Sequence, residues 1–192
     1  MTLGMRPAHT TGGKWSGLRR HGAASSDSTG GAVALHSARP EHVPGIAALV
    51  TRFAAEGLML PRSPESIGFS LGDFIVAADA RGRVLGCGAL REYSPSLAEI
   101  ASLAVAPEAH GGGIGTSLVR ALESLARRRG IAELFALTLA PAFFEGLDYV
   151  VVDRAQFPEK MRRDCASCAR RNACREICVR RCLLDAPHAF AV

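Results

Sequence analysis

A chain of 192 residues with 48% hydrophobic content is long enough for one domain with a real core and some excess chain. The net charge of +5 favours anionic partners, and aromatic residues are sparse at 6%. No apolar run approaches the ~20 residues of a membrane span, so no membrane partner is expected. The charge is uneven. Arg127, Arg128 and Arg129 end a predicted helix, where cations suit the dipole. Arg162, Arg163, Arg170, Arg171, Arg175, Arg180 and Arg181 crowd the last part of the chain.

Residues 1–31 are rich in Gly, Ser and Thr and read as a disordered basic extension. They hold no continuous apolar segment, so a secretory signal is not expected and the location read from the sequence is cytoplasmic. Structural disulfides are then not expected either. Ala32 to Ser37 reads as a first strand. Pro40-Glu41 opens a helix with Ile46, Leu49, Val50 and Phe53 on one face, ending near Glu56-Gly57. A loop carrying Arg62 leads to a short helix from Ser63. Asp73 to Ala78 is a strand, Asp79 to Gly82 a hairpin turn, and Arg83 to Arg91 the returning strand. Leu97 to Val105 is a fourth strand. Leu118, Leu122 and Leu125 recur at helical spacing up to Gly130. Glu133 to Leu139, a short helix from Pro141 to Leu147, and Tyr149 to Val152 follow. Antiparallel strands followed by a strand–helix–strand unit predict an α/β fold: a central mixed sheet with helices on both faces, over residues 32–158. Residues 159–192 are a Cys/Arg-rich tail.

The densest signal is Leu103-Ala104-Val105 followed by Pro107 and then His110-Gly111-Gly112-Gly113-Ile114-Gly115-Thr116. A strand reaches a glycine loop that opens a helix. The loop frees backbone N–H groups at a positive helix terminus, which suits a diphosphate. It lacks the Gly-Lys-Ser/Thr ending of a Walker loop and the Gly-x-Gly-x-x-Gly spacing of a dinucleotide site. It resembles the acetyl-CoA signature of the GNAT acetyltransferases, Gln/Arg-x-x-Gly-x-Gly/Ala, with His110 at the first position. Phe143-Phe144-Glu145-Gly146-Leu147-Asp148-Tyr149 resembles the late Phe-Tyr-x-x-Leu-Gly-Phe pattern of that family. Phe144 stands where many members have Tyr, and Asp148 replaces the usual Gly. The element order also resembles the GNAT acyl-CoA N-acyltransferase fold from about Ala32 to Asp153.

Further segments narrow the resemblance. Leu58 to Ser63, Val84 to Leu90, Leu137-Thr138 with Phe143-Phe144, and Val152-Asp153-Arg154 with Phe157 to Lys160 and Asp164 to Cys168 form an ordered set. Together, over about Arg39 to Cys174, they resemble the short amino-acid N-acetyltransferases, the N-acetylglutamate synthases of arginine biosynthesis. The longer synthases add an amino-acid-kinase-like domain, for which 192 residues leave no room. The resemblance implies acetyl-CoA as co-substrate and L-glutamate as acceptor, with direct transfer of the acetyl group to the α-amine. An ammonium must lose a proton before it attacks a thioester. Glu99, at the start of the fourth strand, is the candidate base, with parity expected to match Ala101, Leu103 and Val105. The amide of Val105 or a neighbour is the candidate oxyanion donor. Arg62 and Lys160 are candidates for the substrate carboxylates. Cys87, in an apolar strand, reads as a core residue.

Five of the six cysteines fall between Cys165 and Cys182. Cys165-Ala166-Ser167-Cys168 has zinc-knuckle spacing, which Cys174 or Cys178 would complete as a structural zinc site. Cys174, Cys178 and Cys182 also fit one stripe of a helix, so reduced thiols packing on the core, or a redox switch, stand as alternatives. Two other functions remain open. One is a GNAT enzyme with another acceptor, a protein N-terminus or small amine. The other is a metal- or redox-sensing nucleic-acid binder on the same scaffold, against which Glu99 and the glycine loop argue. Nucleic acid is therefore not the expected partner, and a homodimer is left open.

Overall fold

The structure, a computed structural model, describes residues 32–183. The expected extension over 1–31 and the last nine residues of the tail, 184–192, lie outside the described residues. The strands are β1 (Ala34–Ser37), β2 (Phe74–Ala78), β3 (Val84–Ser94), β4 (Leu97–Val105), β5 (Glu133–Thr138), β6 (Val150–Val152) and β7 (Ile177–Cys182). The helices are α1 (Val43–Ala55), α2 (Pro64–Phe69), α3 (Ile114–Arg128), α4 (Pro141–Glu145) and α5 (Pro158–Lys160), the last continuing into a π-turn at Met161–Cys165. One sheet takes the order β1-β2-β3-β4-β5-β7-β6. Strands β1 to β4 are antiparallel neighbours, and β4 pairs with β5 in parallel. The α/β class and mixed sheet expected from the sequence are what the chain adopts.

Alternation along the strands builds a core on each face. In β2, Phe74 and Val76 face α1 with Ile46 and Val50, whereas Ile75 and Ala77 face α3 with Leu118 and Leu122. The β2–β3 hairpin closes on Gly82 at φ 77°, a conformation glycine takes without Cβ strain. Asp79 Oδ1 accepts the N–H groups of Arg81 and Arg83 at 2.9 Å each.

The tail departs from the sequence reading. Cys174, Cys178 and Cys182 are not a helical stripe: Ile177–Cys182 is a strand, inserted between β5 and β6 and antiparallel to both. A four-residue spacing is even, so it fits one face of a strand as well as one face of a helix. Ile177 and Val179 are β-branched, and Val179 is fully buried in the α3-side core. Strand β3 also runs past the expected end at Arg91 to Ser94, which brings Tyr93 into the sheet.

Candidate active site

The glycine loop connects β4 to α3 as expected. His110 Nε2 lies 2.8 Å from the Val105 carbonyl and ties the loop to its strand. Gly111 and Gly113 have φ of 78° and 75°, and Gly113 is the N-cap residue of α3. No side chain caps this helix, so its first amides stay open to a ligand. They border a cavity of about 570 Å³ lined by Leu103, Ala104, Val105, His110, Gly111, Gly113, Ile114, Gly115 and Thr116. Gly112 belongs to the same loop but not to that lining.

The cavity owes its shape to β4. Register shifts between Cys87 and Ala89 of β3, opposite Ala104 and Ala101, put one extra residue into β4, and Ser102 takes φ 51°. Gly88 lies across from this bulge; a Cβ there would meet Leu103 Cδ1 at 3.2 Å. The bulge overturns the expected parity of Glu99 with Leu103 and Val105. Leu103 and Val105 pack on the same core as Ala98 and Ile100, and Ala104 turns to the α1 side. Pairing of β4 with β5 ends at Glu99 opposite Phe135, so the strands part beyond it. A second cavity of about 680 Å³ occupies the mouth of this wedge and takes in Arg62, Arg91, Glu99, Lys160 and Glu176. Leu103, Thr138, Leu139, Ala140 and Phe143 line both cavities, which therefore adjoin.

Glu99 is 4% exposed and sits in a charged cluster that the sequence reading did not contain. Lys160 Nζ lies 2.8 Å from Glu99 Oε1 and 2.9 Å from Oε2, and 3.3 Å from Asp164 Oδ2. The Tyr93 hydroxyl lies between Glu99 Oε2, at 2.9 Å, and Asp164 Oδ2. Arg91 donates to Asp164 Oδ1 at 2.7 Å. Burial works to lower the Lys160 ammonium, but the Glu99 and Asp164 charges outweigh it and leave it above its ordinary value. Asp164 resists burial through Tyr93, Lys160 and Arg91 and titrates below the ordinary aspartate range. Burial first, and then Glu99 and Asp164, push the Tyr93 phenol far up. Lys160 thus lines the cleft with its ammonium paired to two protein carboxylates. Tyr93 and Asp164 had one readable signal each: Tyr93 lies two residues beyond Arg91, and Asp164 four beyond Lys160.

Arg62 lines the same cavity. Its guanidinium donates to Ser70 Oγ at 2.8 Å and to the Ser66 carbonyl at 3.3 Å, and lies 5.2 Å from the Phe74 ring centroid. Burial, followed by the Arg91 charge, lowers its pKa. Among the described residues no carboxylate lies within ion-pairing distance of it. Its side chain is positioned by neutral partners, and none of them neutralises its charge.

The cysteines do not gather. Cys178 is buried against Phe135 and Phe157, and burial pushes its thiol up to about 11. Cys168 and Cys174 border a separate cavity beside Gly57–Leu60. Among the described residues no group of three His, Cys, Asp or Glu side chains is placed to hold a metal ion. The zinc set Cys165, Cys168, Cys174 and Cys178 is thus unsupported, because β7 draws Cys178 into an apolar core. Cys87 is fully buried and pushed up to about 12 by that burial, as a core thiol should be.

Comparison with known proteins agrees with this geometry. Residues 49–147 match the acetyltransferase (GNAT) family. An uncharacterized N-acetyltransferase of Chlorobaculum tepidum is 41% identical over 143 residues, covering 74% of this chain and 92% of that protein. An amino-acid acetyltransferase of Neisseria meningitidis is 32% identical over 147 residues, covering 76% of this chain and 34% of that protein. The N-acetylglutamate synthase of Neisseria gonorrhoeae, solved with coenzyme A and N-acetyl-glutamate, superposes with a TM-score of 0.72 at 30% identity. That match covers 80% of this chain and 35% of the synthase. The chain therefore spans about a third of the length of these Neisseria relatives. The splayed β4–β5 pair, the uncapped glycine loop and these matches place the chain in the GNAT family of acetyltransferases.

Proposed function

We propose that the enzyme transfers the acetyl group of acetyl-CoA to the α-amine of an amino acid, with L-glutamate as the acceptor. The observation that carries this reading is a buried carboxylate and a guanidinium without an ion pair lining one cleft that adjoins the glycine-loop cavity. The diphosphate of acetyl-CoA would lie against the amides at the start of α3, and the thioester would reach into the wedge. Gly115 leaves room there: a Cβ would meet the Phe143 ring at 3.4 Å.

Glu99 accepts a proton from the incoming ammonium, and the free amine attacks the thioester carbon. The amide of Val105 or a neighbour stabilises the oxyanion of the tetrahedral intermediate, because β4 has left its partner strand here. The C–S bond then breaks, coenzyme A leaves as a thiolate, and the second proton of the attacking nitrogen passes to that thiolate or to water, which leaves a neutral amide. Neither of the chain's two tyrosines is placed to protonate the thiolate. Tyr149 is buried with its hydroxyl 3.2 Å from Glu123 Oε1, Tyr93 is at Glu99, and Phe144 brings only a ring. Water, or departure without a proton, completes the step. Arg62 pairs with a carboxylate of the acceptor, and a place in arginine biosynthesis follows from glutamate as substrate.

Acetyl-CoA turnover measured against the twenty amino acids, a peptide N-terminus and simple amines tests this. Glutamate should lead, with glutamine used much less well because it lacks the second carboxylate. A peptide or simple amine as best acceptor would remove the amino-acid reading and leave the acetyltransferase.

A further inference from the structure

We propose that Tyr93 and Asp164 form the exit route for the proton that Glu99 takes from the acceptor ammonium. This rests on Glu99 being the base. A base on the wall of a filled cleft has a difficulty: the substrate covers its contact with water, yet the proton must leave before the next turnover. Glu99 is 4% exposed. Its second neighbour is the Tyr93 hydroxyl, 2.9 Å from Oε2. The same hydroxyl is hydrogen-bonded to Asp164 Oδ2, whose side chain keeps 15% of its surface in solvent. Neither Tyr93 nor Asp164 borders the substrate cavity, so this path lies behind its wall.

The transfer balances. The substrate N–H bond breaks to Glu99. The acid so formed gives its proton to the Tyr93 oxygen as the Tyr93 O–H bond breaks towards Asp164. Glu99 is again a carboxylate, Tyr93 is again a neutral phenol, and Asp164 releases the proton to water. Lys160 does not serve as the carrier, since its ammonium is already protonated and held above its ordinary range by both carboxylates. The groups facing the route favour release. Arg91 from β3, Lys160 from α5 and Arg163 from the π-turn are cationic, with Arg163 Cζ 3.9 Å from the Tyr93 ring centroid. The Cys165 and Cys178 thiols, both raised first by burial, complete the surroundings and stay neutral. The π-turn directly after Lys160 carries Asp164, and π-turns are frequent at functional sites.

Tyr93 and Asp164 are positioning residues in this scheme, and kinetics separates a relay from simple support of Glu99. Tyr93→Phe keeps the ring on Phe135 but cuts the route, and Asp164→Asn keeps size but cannot accept the proton. Each should lower kcat by about tenfold, leave the KM for acetyl-CoA unchanged, and recover as a small buffer base such as imidazole is added. Tyr93→Phe carries the test if Asp164→Asn does not fold. Glu99→Gln should lose on the order of 10² in kcat and gain nothing from buffer. Wild-type kcat in Tyr93→Phe, or a loss indifferent to buffer, beside an impaired Glu99→Gln would overturn the relay and spare the base. An unimpaired Glu99→Gln would overturn the base reading itself.

Discussion

Arg62 is proposed to meet the acceptor carboxylate, and its neighbours suit that role. Ser70, Ser66 and the Phe74 ring hold its plane without neutralising it. A charged hydrogen bond to a substrate carboxylate contributes about 1.5–3 kcal/mol. Arg62→Ala should therefore raise the KM for glutamate by roughly tenfold to a hundredfold and leave acetyl-CoA binding intact. Arg62→Lys should recover only part, because an ammonium cannot make the planar fork. An unchanged KM in Arg62→Ala would take the residue out of the acceptor site. Asp148 illustrates a substitution that its surroundings explain. It takes φ 66°, which aspartate tolerates better than most residues, and its carboxylate pairs with Arg181 at 3.2 Å and Arg120 at 3.6 Å.

At the scale of elements, the loop–helix unit and β7 make separate demands. The α3 N-terminus must stay open, and Gly115 is where an added side chain would enter the cavity with little backbone cost. Gly115→Val should weaken acetyl-CoA binding by more than about tenfold, read by calorimetry, with the thermal midpoint nearly unchanged. Equal affinity would move the diphosphate elsewhere. Strand β7 is interior to the sheet, and Val179 contributes a fully buried side chain to the main core. Val179→Ala removes two methyl groups at about 0.8 kcal/mol each and leaves a void, so unfolding should be easier by about 2 kcal/mol. A change within 0.5 kcal/mol would mean that the tail strand is marginal to the fold. Arg181 of β7 also reaches buried Glu123 at 3.4 Å, beside Arg120 at 3.1 Å, so the tail neutralises a charge inside the core.

Across the whole molecule, several of the described arginines are held in internal ion pairs. Arg162 meets Glu159, Arg163 meets Asp164, Arg180 meets Glu133, and Arg129 bridges Asp73 and Glu92. The described part of the Cys/Arg-rich tail contributes β7 to the sheet, and these pairs lower the positive charge it presents to a nucleic acid. Among the described residues no helix is long and apolar enough to cross a membrane. The Glu99 cluster also sets a pH dependence. Asp164 titrates below its ordinary value, so its stabilisation is complete above about pH 4 and is lost as pH falls through the folded pKa. Lys160 titrates above its ordinary value, so its share is lost only as pH rises beyond the usual lysine range. Denaturant unfolding of Asp164→Asn against the wild type should show a gap at neutral pH that closes below about pH 4. Parallel curves would mean that Asp164 is not coupled to the fold. Much of the architecture was readable along the chain because its causes are local. Period-two strands, the helical spacing of Leu118 to Leu125 and the glycine loop each lie within about twenty residues. The sequence by itself determined the mixed sheet, the open α3 terminus and the family. It did not determine the β4 bulge, the place of β7 or the company of Glu99. Those depend on pairing between distant segments: Tyr93 meets Asp164 across 71 residues, and Lys160 meets Glu99 across 61. No local periodicity encodes such contacts; closing long loops and packing one shared core decide them.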